Sequence, residues 1–231
     1  MRDSLRRFVS RLPGHHQQAI RRFYYARKFT RKGFTYNEPE FERLDAWLDE
    51  GDWVLDIGAN VGQYACRFAQ LVGRTGHVIA FEPVPETFDI LASNVARFAL
   101  RNVTLLNVAA SDRSELAGMT IPLTAGGVRN YYWAQLSSDR PDFRVLCLPV
   151  DALGIQAEVR LVKIDVEGHE LAVLRGMRGL LERCHPKLIV EDNVPEVASF
   201  LAGIGYSPGR HDDSPNFVYQ WHASPSVPGA V

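Results

Sequence analysis

The chain carries one stretch dense in groups that can move protons or hold a cation: Asp165-Val166-Glu167-Gly168-His169-Glu170. An imidazole titrates near neutrality, so His169 can act as a base, although a neighbouring carboxylate raises its pKa. Asp165 is the second candidate for the chemistry itself. Some 20 residues on, a short apolar run ends in Glu191-Asp192-Asn193. Asp165, Glu191 and Asp192 together would offer three hard oxygen ligands, a set that suits Mg²⁺. Plainer roles compete. Glu170 can offset a helix dipole and Glu167 can cap a turn. Glu191 can orient a substrate hydroxyl while Asp192-Asn193 caps a following helix.

A second cluster lies upstream. The segment Asp56-Ile57-Gly58-Ala59-Asn60-Val61-Gly62 spaces its glycines as G-x-x-x-G. The dinucleotide fingerprint is G-x-G-x-x-G, and an acid just before the turn would repel a pyrophosphate. Asp56 would instead welcome an ammonium group or a cationic centre. Gly58, Asn60 and Gly62 allow a tight turn against a ligand. Glu82, followed by Pro83, lies 24 positions after Gly58, near the offset at which an acid accepts the hydroxyls of a ribose. In Asn107-Val108-Ala109-Ala110-Ser111-Asp112 the small Ala109 leaves room for a purine face, and Asp112 can accept from an exocyclic amine. A surface turn explains Ser111-Asp112 equally well. Together these residues point to an adenosine ligand. Between the two clusters an insertion, 117–150, holds Arg129, Asn130, Tyr131 and Trp133. Such groups suit a sugar, with rings for its apolar face and polar groups for its hydroxyls; they serve equally as an edge cover with an aromatic core.

Alternating strands and helices must position these groups. Strands are expected at 53–57, 77–81, 103–108, 159–164, 187–191 and 217–221. Helices are expected at 40–49, from Gly62 to 72, and at 85–100, 169–183 and 194–201. This pattern predicts an α/β fold: a doubly wound, mostly parallel, Rossmann-like sheet with helices on both faces. In such sheets ligands bind beyond the carboxyl ends of the strands, where every motif above falls.

These motifs resemble the S-adenosylmethionine-dependent methyltransferases of the FkbM type, within the class I methyltransferase superfamily. The resemblance runs from about Glu40 to Trp221. Its carriers are Val54–Gly62, Ala80–Pro83, Asn107–Asp112 and, most specifically, Leu161–Glu170 with Val173-Leu174-Arg175-Gly176. His169 stands where a small residue is as common. The resemblance implies S-adenosylmethionine as cofactor and O-methylation of a hydroxyl, commonly on a sugar of a glycolipid, polysaccharide or natural product. A nicotinamide-dependent oxidoreductase is disfavoured by the glycine spacing. A non-catalytic S-adenosylmethionine-binding module would lack convergent acids at the chemistry end.

The whole chain, 231 residues with 46% hydrophobic and 23% charged, suits one domain with an arm and excludes a disulfide-dense mini-protein or global disorder. Its net charge of −1 conceals an asymmetry. Residues 1–35 hold ten Lys or Arg and one acid, net +9; the rest, with 16 basic and 26 acidic residues, is net −10. The expected organisation is a basic helical arm at 1–35, broken at Pro13-Gly14, a methyltransferase domain at 36–221 and a loose tail at 222–231. The arm has two readings: its aromatics pack on the body, or its charge meets an anionic membrane. It could also serve as a contact in a homo-oligomer. No specific nucleic-acid partner is expected. No apolar run reaches the ~20 residues of a membrane span, and no secretory pattern opens the chain. Cys66, Cys147 and Cys184 are read as reduced thiols. The expected location is cytoplasmic, including the inner face of a membrane.

Overall fold

The computed structural model describes residues 14–32, 38–124, 127, 129–137, 139–191, 194–210 and 214–222. The first half of the expected arm and the tail after residue 222 lie outside them. Five strands form a parallel set: β1 (Trp53–Ile57), β2 (His77–Phe81), β3 (Val103–Leu106), β8 (Val159–Ile164) and β9 (Lys187–Glu191). β11 (Asn216–Trp221) runs antiparallel between β9 and the edge strand β10 (Tyr206–Arg210). The resulting order is β10-β11-β9-β8-β1-β2-β3. Strand order reverses between β1 and β8, which places the ligand crevice of a doubly wound sheet there.

The sheet is buried on both faces, as its apolar strands require. Val54, Val78, Ala80 and Leu161 pack on one side. Leu55, Ile57, Phe81, Val162 and Ile164 pack on the other. The first face is covered by helices α1 (Gly14–Lys32), α2 (Leu44–Trp47), α3 (Gln63–Leu71) and α4 (Pro85–Arg97). The second is covered by α5 (Glu170–Gly176), α6 (Arg178–Cys184) and α7 (Pro195–Gly203). Among the described residues, no helix is long and apolar enough to cross a membrane.

Four departures from the expected elements have local causes. The helix at 40–49 shrinks to a 3₁₀ turn at Phe41–Arg43 and the single turn α2. The helix at 169–183 is broken at Met177 into α5 and α6. Gly176, the last residue of α5, lies where a Cβ would stand 1.8 Å from the Ser111 carbonyl oxygen. β10 was hidden by Ser207-Pro208-Gly209, turn residues that an edge strand tolerates. The insertion folds into its own sheet, in the order β4 (Ala109–Ala110), β7 (Phe143–Leu148), β5 (Glu115–Thr120) and β6 (Gln135–Leu136). Along β7 burial alternates, with Val145 and Cys147 inside and Arg144 and Leu146 outside.

Helix α1 satisfies the packing reading on one face. Tyr25 and Phe29 join the core with Phe41, Leu44 and Tyr64. Arg22 pairs with Asp89 of α4.

Candidate active site

A cleft opens at the carboxyl ends of β1, β2 and β8. Its floor is the glycine turn (Gly58 and Asn60) and the end of β2 (Phe81 to Val84). The small sheet supplies the roof through Ala109, Ala110, Met119 and Leu136, with Tyr131 and Tyr132 at its lip. Asp165, Val166, Glu167 and His169 complete the wall. The structure therefore brings together Gly58, Asn60, Glu82, Pro83, Ala109, Tyr131, Asp165, Glu167 and His169 from the expected set.

Glu82 is buried with its carboxylate held by two backbone amides. Its Oε2 accepts from Asn60 N and its Oε1 from Val84 N, each at 2.9 Å. Burial still pushes its pKa up to about 8, more than those bonds lower it. The remaining lone pairs are what a vicinal diol would fill.

Lys163 organises the other side, and its role was missed. It sits within an otherwise apolar β8, buried, with Nζ 2.8 Å from Asp165 Oδ2 and 4.9 Å from the centre of the Tyr64 ring. Burial works against its charge, but Asp165, Asp56 and Glu38 outweigh that and raise its pKa. Asp165 is pushed up by burial, yet Lys163 and a hydrogen bond shared with Glu191 hold it below the ordinary carboxylate range. Glu191 is raised by that same bond and by burial. Glu38, also missed, accepts from Tyr64 Oη at 2.5 Å and from Asn216 Nδ2 at 2.9 Å. A lysine inside an apolar strand was the available signal, because a buried ammonium requires acids around it.

His169 shares a 2.9 Å hydrogen bond with Ser111 through Nε2. Burial lowers its pKa, overcoming Asp112 and Glu170, so the ring is neutral at pH 7. Oxygens of Asp165, Glu167 and Glu191 lie within 4.8 Å of one another. The donor chemistry fits a hard cation, with Glu167 in the place expected for Asp192, which lies outside the described residues.

Seven expected site residues take other places. Asp56 is fully buried under the turn and does not line the cleft; its oxygens lack a hydrogen-bond partner. Its pKa is pushed up to about 6 by burial, against Lys163. It faces the same side of the sheet as Lys163, its neighbour in register, and its charge supports that ammonium. Gly62 is spared for α4: a Cβ there would lie 2.6 Å from Leu91 Cδ1. Gly58 lines the cleft, yet its missing Cβ makes room for the Asp165 carbonyl, 1.8 Å from that position. Asp112 stands beside the cleft and pairs with Arg113 at 3.5 Å. Arg129 pairs with Asp142 at 2.9 Å, and Asn130 caps the turn at 131–133 by accepting from Tyr132 N. Trp133 points outward, whereas its neighbour Tyr132 lines the cleft. Glu170 is buried and accepts from Gly168 N at 3.0 Å, fastening the turn ahead of α5.

Comparison with known proteins places this geometry. The Methyltransferase FkbM domain matches residues 56–208, more than half of the chain. A hexuronic acid methyltransferase, AglP, of Haloferax volcanii is 32% identical over 137 residues, 58% of this chain and 53% of that protein. A protein-L-isoaspartate O-methyltransferase of Methanothrix thermoacetophila is 39% identical over 59 residues, 26% of this chain and 28% of that one. The chain thus spans about half the length of the first and less of the second. The crystal structure of an FkbM methyltransferase from Methylobacillus flagellatus superposes with a TM-score of 0.59 at 17% identity, over 75% of this chain and 44% of that chain, a likeness of fold. Its strand order and its family match agree on one answer: this chain belongs to the FkbM methyltransferase family.

Proposed function

We propose that the chain transfers a methyl group from S-adenosylmethionine to a hydroxyl oxygen of a saccharide. The observation that carries this reading is a single cleft lined both by the doubly amide-held Glu82 and by the neutral His169. S-adenosylmethionine, when bound, supplies an electrophilic methyl carbon. Glu82 would take its ribose hydroxyls, and Val108, Ala109 and Ala110 would face its adenine. The acceptor enters past Tyr131 and Tyr132, whose rings suit the apolar face of a sugar. The likeness to a hexuronic acid methyltransferase supports a sugar acceptor.

A neutral alcohol must lose its proton as the methyl arrives. In the tautomer that gives Nε2–H to Ser111, Nδ1 of His169 carries the lone pair that takes it. Asp112 and Glu170 favour the imidazolium that results. A divalent ion on Asp165, Glu167 and Glu191 is the second reading, favoured by their clustering. It would acidify the hydroxyl. Lys163 already neutralises Asp165, and Glu191 shares its proton with Asp165, so the first reading stands ahead.

The test is incubation with S-adenosylmethionine and a panel of hexuronic-acid and neutral glycans, followed by mass spectrometry. One added methyl per acceptor that survives mild alkaline treatment, which cleaves an ester, identifies an ether product. An ester product, or no binding of S-adenosylmethionine by calorimetry, overturns the reading.

A further inference from the structure

Helix α1 turns its two faces to different surroundings. Its inner face reaches the cleft: the Arg21 guanidinium lies 4.0 Å over the Tyr131 ring, and the Tyr25 and Tyr132 hydroxyls share a 2.6 Å hydrogen bond. Phe29 is buried beneath. On the outer face Phe23 is 68% exposed and Tyr24 41%, with Arg27 exposed one turn on. A single exposed phenylalanine is ordinary. Adjacent aromatics on a helix that carries six Lys or Arg and no acid are the pattern of an interfacial helix.

Charge selects the partner and its orientation. The segment 1–35 is net +9 and the rest of the chain net −10. An anionic surface is attracted by the arm and repelled by the body, so it can approach from one side only. The aromatics stand on the outside of a helix, where they can enter a headgroup layer, and not in a groove that would track a nucleic-acid strand.

We propose that α1 seats the protein on an anionic lipid bilayer, with Phe23 and Tyr24 in the headgroup boundary. The same helix holds Tyr131 and Tyr132 from its opposite face, so one helix separates the lip of the cleft from that surface. This inference is independent of the transferred group and is tested by binding alone.

The experiment is flotation of the full chain with vesicles of phosphatidylcholine, alone or mixed with phosphatidylglycerol, at low and high salt. Two variants accompany it: Phe23→Ser with Tyr24→Ser, and Arg27→Glu. Their helical circular dichroism should match the parent; the melting midpoint should be unchanged in Arg27→Glu, which faces solvent, and fall slightly in the aromatic pair, where Tyr24 gives up an edge contact with Tyr25. Flotation with the anionic vesicles only, lost at high salt and reduced by roughly tenfold in either variant, is the expected result. Absence of flotation, equal flotation with both vesicles, or variants that float like the parent would overturn it. A single-stranded RNA that removes the protein from the vesicles at equal phosphate concentration would overturn it in favour of a nucleic-acid surface.

Discussion

At the end of β2, Glu82 accepts from two backbone amides and yet has a pKa near 8. On the proposed reading ribose hydroxyls donate to the ionised carboxylate, so cofactor binding would draw the proton off. Since the free-protein value is raised above 4.5, the proton is present below about pH 8. Affinity should therefore rise with pH through neutrality, by at most about tenfold per unit, and level off above pH 8. Calorimetry between pH 6 and 9, in buffers of different ionisation enthalpy, should also show proton release. Glu82→Gln should lose about 1–3 kcal/mol of binding and the pH slope with it. A flat profile in the parent would remove Glu82 from the cofactor contact. Gly58 makes a second residue-scale case. Its φ of +83° and the Asp165 carbonyl at the Cβ position make Gly58→Ala costly, on the order of 3 kcal/mol or more. Thermal denaturation should register that cost; a melting midpoint equal to the parent's would show that β1 and β8 can move apart freely.

At the scale of elements, α1 braces the lip of the cleft. Phe29 anchors it in the core beside Leu44 and Tyr64, and Arg21 and Tyr25 meet the cleft lip. Phe29→Ala should destabilise the fold by about 3–5 kcal/mol if α1 melts with the domain. If α1 detaches alone, the midpoint should move little while KM for the acceptor rises, because Tyr131 and Tyr132 lose their support. A variant with both quantities unchanged would show that the helix contributes nothing to either. The small sheet is the matching element on the other side. β4 joins it to the end of β3, and its pairing with β7 puts Ala109 and Ala110 over the cleft.

Over the whole molecule, three chain segments far apart in sequence converge on one buried ammonium. Glu38 comes from the segment before the domain's first helix, Asp56 from β1, and Asp165 from just beyond β8, all around Lys163. In the proposed reaction that charge balance leaves the proton to His169. His169→Ala should lower turnover by about 10²–10⁴, while a chelator leaves the parent unchanged. Loss of parent activity on chelation, restored by Mg²⁺, would instead assign the chemistry to a metal on Asp165, Glu167 and Glu191. Turnover in His169→Ala equal to the parent's would leave alignment alone as the catalytic device.

The sequence by itself determined the strands of the parallel core and the helices that cover them, because a buried parallel strand is a short apolar run and a covering helix repeats every three to four residues. It also determined Glu82, Asp165 and His169 as candidates, since each follows such a run and the carboxyl end of a parallel strand faces the ligand crevice. Only the tertiary structure decided which neighbours of those residues face the cleft. Asp56 and Lys163 lie on inward-facing positions of their strands, and alternation about a strand reads the same whether the buried layer is apolar or charged. Arg129, Asn130 and Glu170 are drawn off by an ion pair, a cap and a turn amide whose partners are fixed by local geometry that residue types do not specify. Gly58 looked like room for a ligand and proved to be room for the Asp165 carbonyl, because the closeness of β1 and β8 is a property of their pairing and of neither segment alone.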